Sequence, residues 1–304
     1  VMTTREHNST GPTVAIEICR GWVHMVRVER ARHDDTLHFR TRSVRWSQDT
    51  ETLYSERSAR ELSAALETLA TEEKLAGATV DVALNGDHCV TRVVSGAADH
   101  VQSELASLER RSGAYVSLGP GAKSLATSIR SLDARHQHAL LIVANGKTLD
   151  ALAEAAAAGL KIRLVEPMLV ALCRLVNHAC FDTDAPALVI NLGESGVELG
   201  ISHQGNLLLD YRLGRRFGPA EVAGVVLRHL ARLRRYCTRY HGCPSDRLQR
   251  VFLCGDPKPV RSAIDGFGGQ DELTVDVLDP TSIDASWHFP DADCPSRLGG
   301  ALGT

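Results

Sequence analysis

The stretch "ALVINLGESGVELGISHQGNLLLDYRLG", residues 187–214, alternates apolar runs with turns that contain glycine. Apolar runs of this length are typical of buried strands, so the stretch predicts three successive strands joined by two tight turns. Such a hairpin can hold a nucleotide phosphate through backbone N–H groups, with a carboxylate at the end of its first strand for the metal. Here that position is Asn191. The stretch is therefore a phosphate loop, a relic of one, or an ordinary hairpin turn.

A similar pattern opens the chain. Residues 13–30, "TVAIEICRGWVHMVRVER", predict two strands around a tight turn at Arg20 and Gly21, and "LHFRTRSVRW" predicts a third strand. The next segment, "SARELSAALETLATEEKLAG", has Leu62, Leu66 and Leu69 on one helical face and ends at Gly77, a typical helix stop. A buried strand, "TVDVALNG", follows. The order is therefore three strands, a helix and a strand.

The second half repeats this order. After the three strands of residues 187–213, "GPAEVAGVVLRHLARLRRYCTRY" predicts a long amphipathic helix, and "RVFLCGD" predicts a buried strand. A short helix, "KPVRSAIDGF", and a last strand, "LTVDVLDP", come next. Two halves with the same order of elements indicate an internal duplication of architecture.

The segment between the halves predicts further α/β structure. "VTRVVSGAADHVQSELASLERRSG" predicts a strand and a helix, and "AYVSLGPGAKS" a short strand with a glycine-rich turn. A buried strand from Leu140 to Ala144 then precedes a helix capped near Thr148. A strand from Lys161 to Val165 leads into a helix opened by Pro167.

The overall composition is that of an ordinary globular protein. The 304 residues are 43% hydrophobic and 23% charged with a net charge of -3, so no global field favours nucleic acid or an anionic membrane. No apolar run approaches the ~20 residues that span a bilayer, and the first residues have no signal-peptide core. The eight cysteines are scattered through apolar segments. These features predict a cytoplasmic protein.

Several segments together resemble a known family. "AIEICRGWVHMVRVE", "VDVALNGDHCVTRVV", "AAAAGLKIRLVEPMLVALCRLVN" and "LARLRRYCTRY" followed by "RVFLCGD" occur in the order of the actin-like, Hsp70-like and sugar-kinase ATPase fold. Within that fold they are similar to the PilM family of type IV pilus assembly proteins, which is related to the cell-division protein FtsA and the cytoplasmic part of GspL. The resemblance covers about 290 residues through order rather than through any single motif.

The resemblance implies an α/β, two-lobed, duplicated ribonuclease H-like fold with a small subdomain inserted in the first lobe. We expect a disordered tail at residues 1–12, the first lobe at 13–180 with its insertion at approximately 90–134, the second lobe at 186–290, and an irregular tail at 291–304.

The resemblance also places a nucleotide site between the lobes, at a set of residues that departs from the family pattern. Glu17 stands at an aspartate position and Asn191 at another, while Gly193 and Gly255 are retained. The positions implied to face the nucleotide are Glu17, Arg20, Gly21, Asn191, Gly193, Glu194, Ser195, Gly255 and Asp256.

These departures predict a degenerate site. An amide is a poorer partner for hydrated Mg²⁺ than a carboxylate, and Asn191 cannot act as a base. Glu194 adds negative charge beside a triphosphate, although Arg20 could bind phosphate directly. We therefore expect weak or no binding of ATP and Mg²⁺, no identifiable catalytic residue and little or no ATPase activity.

Three other groups of residues suggest functional sites but have simpler explanations. Cys237, His241 and Cys243 supply zinc ligands, with Cys254 or His229 as a fourth, but a helix end with a turn explains them more simply. Arginines between residues 228 and 239 could bind nucleic acid or phospholipid headgroups, but the outer face of a helix is the ordinary explanation. "GESGVE" does not form a nucleophile turn, which argues against a hydrolase.

The resemblance implies a scaffold for type IV pilus or type II secretion assembly at the inner membrane face. Its partner would be the cytoplasmic peptide of a bitopic membrane protein, docked in a groove bordered by residues 80–94 and 115–118. Homo-oligomers are compatible with this role. The alternatives are an active ATPase or sugar-kinase-like phosphotransferase of the same fold, for which Glu17, Asp210 and Asp256 are the available acids, or a filament-forming protein.

Overall fold

A computed structural model describes residues 13–30, 36–47, 54–132, 134–179, 185–193, 196–212, 217–241, 247–268, 272–279 and 287–288. The strands are β1 (Thr13–Cys19), β2 (Trp22–Arg30), β3 (Leu37–Arg45), β4 (Thr79–Leu84), β5 (Cys89–Ala97), β6 (Lys123–Ser131), β7 (His136–Asn145), β8 (Lys161–Pro167), β9 (Ala187–Gly193), β10 (Gly196–His203), β11 (Asn206–Asp210), β12 (Arg250–Gly255), β13 (Thr274–Val277) and β14 (Trp287–His288). The helices are α1 (Glu56–Glu72), α2 (Ala98–Arg110), α3 (Gly146–Ala157), α4 (Met168–Ala179), α5 (Val222–His241) and α6 (Pro257–Phe267).

Two sheets have the same strand order. The first is β14-β3-β2-β1-β4-β8 and the second is β11-β10-β9-β12-β13. In each sheet three consecutive strands pair antiparallel, and the first of them pairs parallel with a later strand that follows a helix. The duplicated architecture predicted from the sequence is confirmed by this common order of five strands.

The inner strands of both sheets are buried because helices cover them. The apolar face of α1, predicted from Leu62, Leu66 and Leu69, packs with α3 on β1 and β4. The apolar face of α5 packs with α6 on β9 and β12. Strands covered on both faces read as nearly continuous apolar runs. Glu17 in β1 and Asn191 in β9 therefore stand out as polar residues within buried strands.

Helix α4 joins the two sheets. Its buried residues contact Cys19 and Ala83 of the first sheet and Val189, Phe252 and Cys254 of the second in one apolar cluster. This packing brings the ends of β1, β4, β9 and β12 to a common region. No helix of the described residues is long and apolar enough to cross a membrane.

A third, antiparallel sheet has the order β5-β7-β6, with α2 packed on it. The short strand predicted at the start of "AYVSLGPGAKS" was wrong: the 3-10 turns Ser112–Ala114 and Val116–Leu118 stand there instead. Strand β6 was missed because its residues are mostly exposed, so no buried alternation marks it. The start of α3 was also misplaced, since the side chain of Asn145, rather than Thr148, caps the helix by accepting a hydrogen bond from the N–H of Lys147.

Candidate functional site

The ends of β1 and β9 lie where α4 joins the first two sheets. Glu17, which is 3% exposed, accepts a hydrogen bond from the thiol of Cys19 at 3.0 Å. Burial raises the pKa of the Cys254 thiol, and the negative charge of Glu17 raises it further. Because that charge acts across the lobes, Glu17 of the first sheet lies close to Cys254 of the second.

Asn191 also lies beside Cys254. Its amide nitrogen donates a hydrogen bond to Oε2 of Glu198 at 3.1 Å and lies 3.0 Å from the sulfur of Met168. Its Oδ1 lies 3.8 Å from the sulfur of Cys254. The structure thus brings Glu17 and Asn191 to one place, and the amide of Asn191 is already occupied by protein groups.

Glu198 is a half-buried residue that the sequence interpretation missed. It pairs with Asn191 across the β9–β10 ladder. Burial raises its pKa to about 7, Asp210 and Asp87 raise it as well, and Arg212 and the hydrogen bond from Asn191 oppose the shift. A signal was present in "GVELGIS", where Glu198 is the one charged residue in an apolar run.

Arg212 and Asp210 connect the second sheet to the third. The Nε of Arg212 donates to the two carboxylate oxygens of Asp210 at 3.1 and 3.0 Å. The terminal nitrogens of Arg212 donate to the carbonyl oxygens of Gly86 and Cys89 at 3.3 and 3.1 Å. Asp210 also accepts from the N–H of Thr91 at 3.3 Å. One ion pair thereby holds the end of β11 against the turn before β5.

That turn, residues 85–88, completes the cluster. A Cβ added to Gly86 would lie 2.5 Å from Oε1 of Glu198, so glycine is what lets the carboxylate approach this backbone. Arg20, predicted to bind phosphate, lies with its Nε 3.8 Å from Oδ2 of Asp87. Arg20 is therefore held by a carboxylate of the same lobe.

Two of the predicted glycines are explained by the fold itself. Gly21 has φ +76° in the β1–β2 turn, and its carbonyl accepts from the N–H of Trp46 at 2.8 Å. Gly255 has φ +117°, and a Cβ there would lie 2.4 Å from the carbonyl oxygen of Leu192. A close backbone approach between β12 and β9 therefore requires glycine, with or without a nucleotide.

The other positions predicted to face a nucleotide give less evidence about such a site. A Cβ on Gly193 would meet the Asn191 amide at an ordinary 3.6 Å. Asp256 precedes α6; its N–H donates to the carbonyl of Leu192 at 3.1 Å, and its carbonyl accepts from the N–H of Val260 at 3.0 Å. Glu194 and Ser195 lie outside the described residues.

The described side chains in this region carry more carboxyl groups than guanidinium groups. Four carboxyl groups, from Glu17, Asp87, Glu198 and Asp210, accompany the two guanidinium groups of Arg20 and Arg212. Both arginines contact those carboxylates or backbone carbonyls, and the Asn191 amide contacts Glu198. A bound triphosphate would meet net negative charge and would have to displace these contacts.

No protein-family model matches the sequence, and no curated protein matches it. The structure does match solved structures. It superposes on a chain of the PilM–PilN type IV pilus biogenesis complex with a TM-score of 0.67, 14% sequence identity and coverage of 97% of this chain and 97% of that chain. It also superposes, with a TM-score of 0.56 and 11% identity over 88% of this chain and 91% of the other, on a Bacteroides thetaiotaomicron protein with an actin-like ATPase fold.

This chain has the actin-like ATPase fold.

In this actin-like fold the hairpins β1–β2 and β9–β10 occupy equivalent places in the two duplicated sheets. The predicted peptide groove needs correction at residues 80–84, because Val80, Val82 and Leu84 of the interior strand β4 are at most 2% exposed and cannot line it. In the zinc alternative, Cys237 is buried in the apolar core of the actin-like second lobe. Cys243 lies outside the described residues, so that alternative is not tested.

Glu198 predicts a pH dependence of stability. Its pKa of about 7 in the folded chain exceeds the ordinary value of 4.5, so the folded chain retains a proton that the unfolded chain has released. The stability from this protonated carboxyl is complete below that ordinary value and is lost as the pH rises through about 7. We expect Glu198→Gln, which stays neutral and can still accept from Asn191, to gain stability relative to the natural chain across this window.

The measurement is the thermal unfolding midpoint of both proteins from about pH 4 to about pH 8.5. Burial lowers the pKa of His88 to about 4, which changes stability in the opposite sense, but His88 is common to both proteins and cancels in the difference. A difference that is the same at all pH values would show that Glu198 titrates normally.

Proposed function

We propose that this chain is a PilM-like scaffold that binds a partner and turns over little or no nucleotide. The observation that carries the proposal is the charge cluster between the hairpins, in which Arg212, Asp210, Glu198 and Asn191 contact one another or the neighbouring backbone. Groups preorganised for a nucleotide would instead point donors at its phosphates. Here the donors are directed at carboxylates and carbonyls of the protein.

The proposed setting is the cytoplasmic face of the inner membrane, in a type IV pilus or type II secretion machine. The partner would be the cytoplasmic peptide of a bitopic membrane protein. Similarity to a chain of the PilM–PilN type IV pilus biogenesis complex supports this setting at the level of fold. The peptide would dock on the first lobe beside the three-stranded sheet, because the interior strand β4 offers no open surface there.

Calorimetry with Mg-ATP tests the proposal. We expect the natural chain to bind more weakly than about 1 mM, roughly -4 kcal/mol. The variant Asn191→Asp restores a carboxylate but places it opposite Glu198, so the fair comparison is the double variant Asn191→Asp with Glu198→Gln. Binding gained only in the double variant would support a site lost by drift, since the added carboxylate can then hold the metal. Micromolar binding with hydrolysis by the natural chain would favour the alternative, an ATPase or sugar-kinase-like phosphotransferase.

The partner half of the proposal needs a separate experiment. Immobilised peptides from the cytoplasmic N-termini of bitopic proteins encoded beside this chain should retain the purified protein, whereas scrambled peptides should not. Retention by one authentic peptide supports the scaffold role. Equal retention by authentic and scrambled peptides would contradict it.

A further inference from the structure

A second cleft begins beyond Thr91 along β5, where β5 and α2 face α5. Its volume is about 980 Å³, within the range of specific binding sites. The first wall includes Arg92, Val93 and Ser95, and the second includes Arg232, Arg235 and Arg239.

The charges of this cleft favour an anionic occupant. Four arginines line it, and the carboxyl group in its lining comes from Glu104. Arg232, Arg235 and Arg239 are exposed and are spaced three and four residues apart on α5, so they share one face of the helix. Arg92 stands on the opposite wall, with its guanidinium 5.5 Å from the centre of the Tyr115 ring. Both walls therefore present positive charge.

The backbone of β5 favours an extended occupant. Strand β5 is at the end of its sheet, and no strand of the described residues pairs with its other side. The carbonyl of Cys89 and the N–H of Thr91 point to that side, because Arg212 and Asp210 bind them there. In an antiparallel strand every second residue points the same way, so the N–H and C=O groups of Val93 and Ser95 face the cleft.

We propose that this cleft binds an extended acidic segment of a partner protein, which adds a strand to β5 and directs alternate carboxylates at the arginines of α5. Same-side side chains of a strand repeat every ~6.7 Å, comparable with the ~4.5–6 Å axial steps between the α5 arginines. Apolar lining from Val94 and Leu108 suits the residues between the carboxylates. A membrane surface is flat and would not reach the β5 edge inside a cleft. Binding here would depend on the charges and the strand edge of this cleft rather than on a nucleotide or on the membrane partner proposed above, although both docking surfaces border the three-stranded sheet.

Fluorescence anisotropy tests this inference with a short labelled peptide in which glutamates alternate with valines. We expect saturable binding that weakens with salt. Replacing Arg232 and Arg235 together with alanine should weaken it about tenfold or more, because two charge-assisted contacts are lost. The matched control is Arg228→Ala, an exposed arginine of the same helix outside the cleft lining, which should change affinity less than about twofold.

Two further probes separate the occupants. A peptide N-methylated at alternate valines, which cannot complete the strand ladder, should bind at least several-fold more weakly than its parent. Vesicles of phosphatidylglycerol and inorganic triphosphate should not compete with the peptide. Three outcomes would overturn the proposal. The first is competition by the vesicles or by triphosphate that depends on Arg232 and Arg235 in the same way as peptide binding. The others are an equal loss of peptide affinity in Arg228→Ala and in the double variant, and no peptide binding at all.

Discussion

Replacing Gly255 with alanine is expected to destabilise the protein by roughly 2–6 kcal/mol. The φ of +117° at this position is a conformation that L side chains rarely adopt, which costs of order 1–3 kcal/mol. The added Cβ would also lie 2.4 Å from the carbonyl oxygen of Leu192, a backbone atom that cannot rotate away. Separating β12 from β9 to relieve that contact costs a further ~1–3 kcal/mol. Urea unfolding of the two proteins measures the difference.

Gly159→Ala is the matched control for this variant. Gly159 has the same φ of +117°, but a Cβ there would meet nothing within 4 Å. Its substitution should cost only the conformational strain, about 1–3 kcal/mol. Equal losses at the two positions would refute the argument from the Leu192 contact. A larger loss at Gly255 would mean that the architecture alone demands this glycine, so its retention says little about adenosine binding.

Removing the carboxylate of Asp210 is expected to destabilise the protein by roughly 2–4 kcal/mol. The Asp210 side chain is 4% exposed and pairs with Arg212, whose side chain is 30% exposed. Asp210→Ala leaves a partly buried guanidinium and the N–H of Thr91 without this acceptor. Breaking a buried pair from one side costs about 3–5 kcal/mol, and the partial exposure of Arg212 lowers the expectation. Chemical denaturation again provides the measurement.

Asp276→Ala provides the comparison for Asp210→Ala. Asp276 makes the same kind of pair with Arg250 at 2.8 Å, but both side chains are more than a third exposed. Its loss should therefore cost less than about 1 kcal/mol. The double variant Asp210→Ala with Arg212→Ala should be less damaged than the sum of its single variants by about 1 kcal/mol or more. Additive losses would mean that the pair does not connect the second and third sheets energetically.

The predictions from sequence succeeded where a local pattern has one structural meaning. The turn at Arg20 and Gly21, the helix faces of α1 and α5, and the repeated order of strands all follow from spacing and glycine. They failed where exposure removed the pattern. Strand β6 carries Leu125 and Ile129 at 39% and 49% exposure, so its residues lack the contrast that marks a half-buried strand.

The candidate site shows the same difference between what a local sequence pattern predicts and what only the fold determines. The sequence alone marks Asn191 and Glu17 as candidate site residues, because each is a polar residue inside an apolar run. It does not mark their neighbours: Arg212 contacts Gly86 and Cys89, which are more than 120 residues away. The sequence predicts Arg20 as a phosphate ligand, but in the folded chain the carboxylate of Asp87 lies beside it.

Local chemistry in the chain was sufficient for the duplicated α/β architecture and for the two polar residues, Glu17 and Asn191, inside apolar strands, because these depend on residue type and spacing within a few dozen positions. Two results depended on the folded arrangement: the internally paired charges between the lobes, and the arginine-lined cleft beside β5. Both arise because packing brings groups that are distant in sequence within a few ångströms of each other. The interaction energy of two charges depends on that final distance and on their burial rather than on their order in the chain.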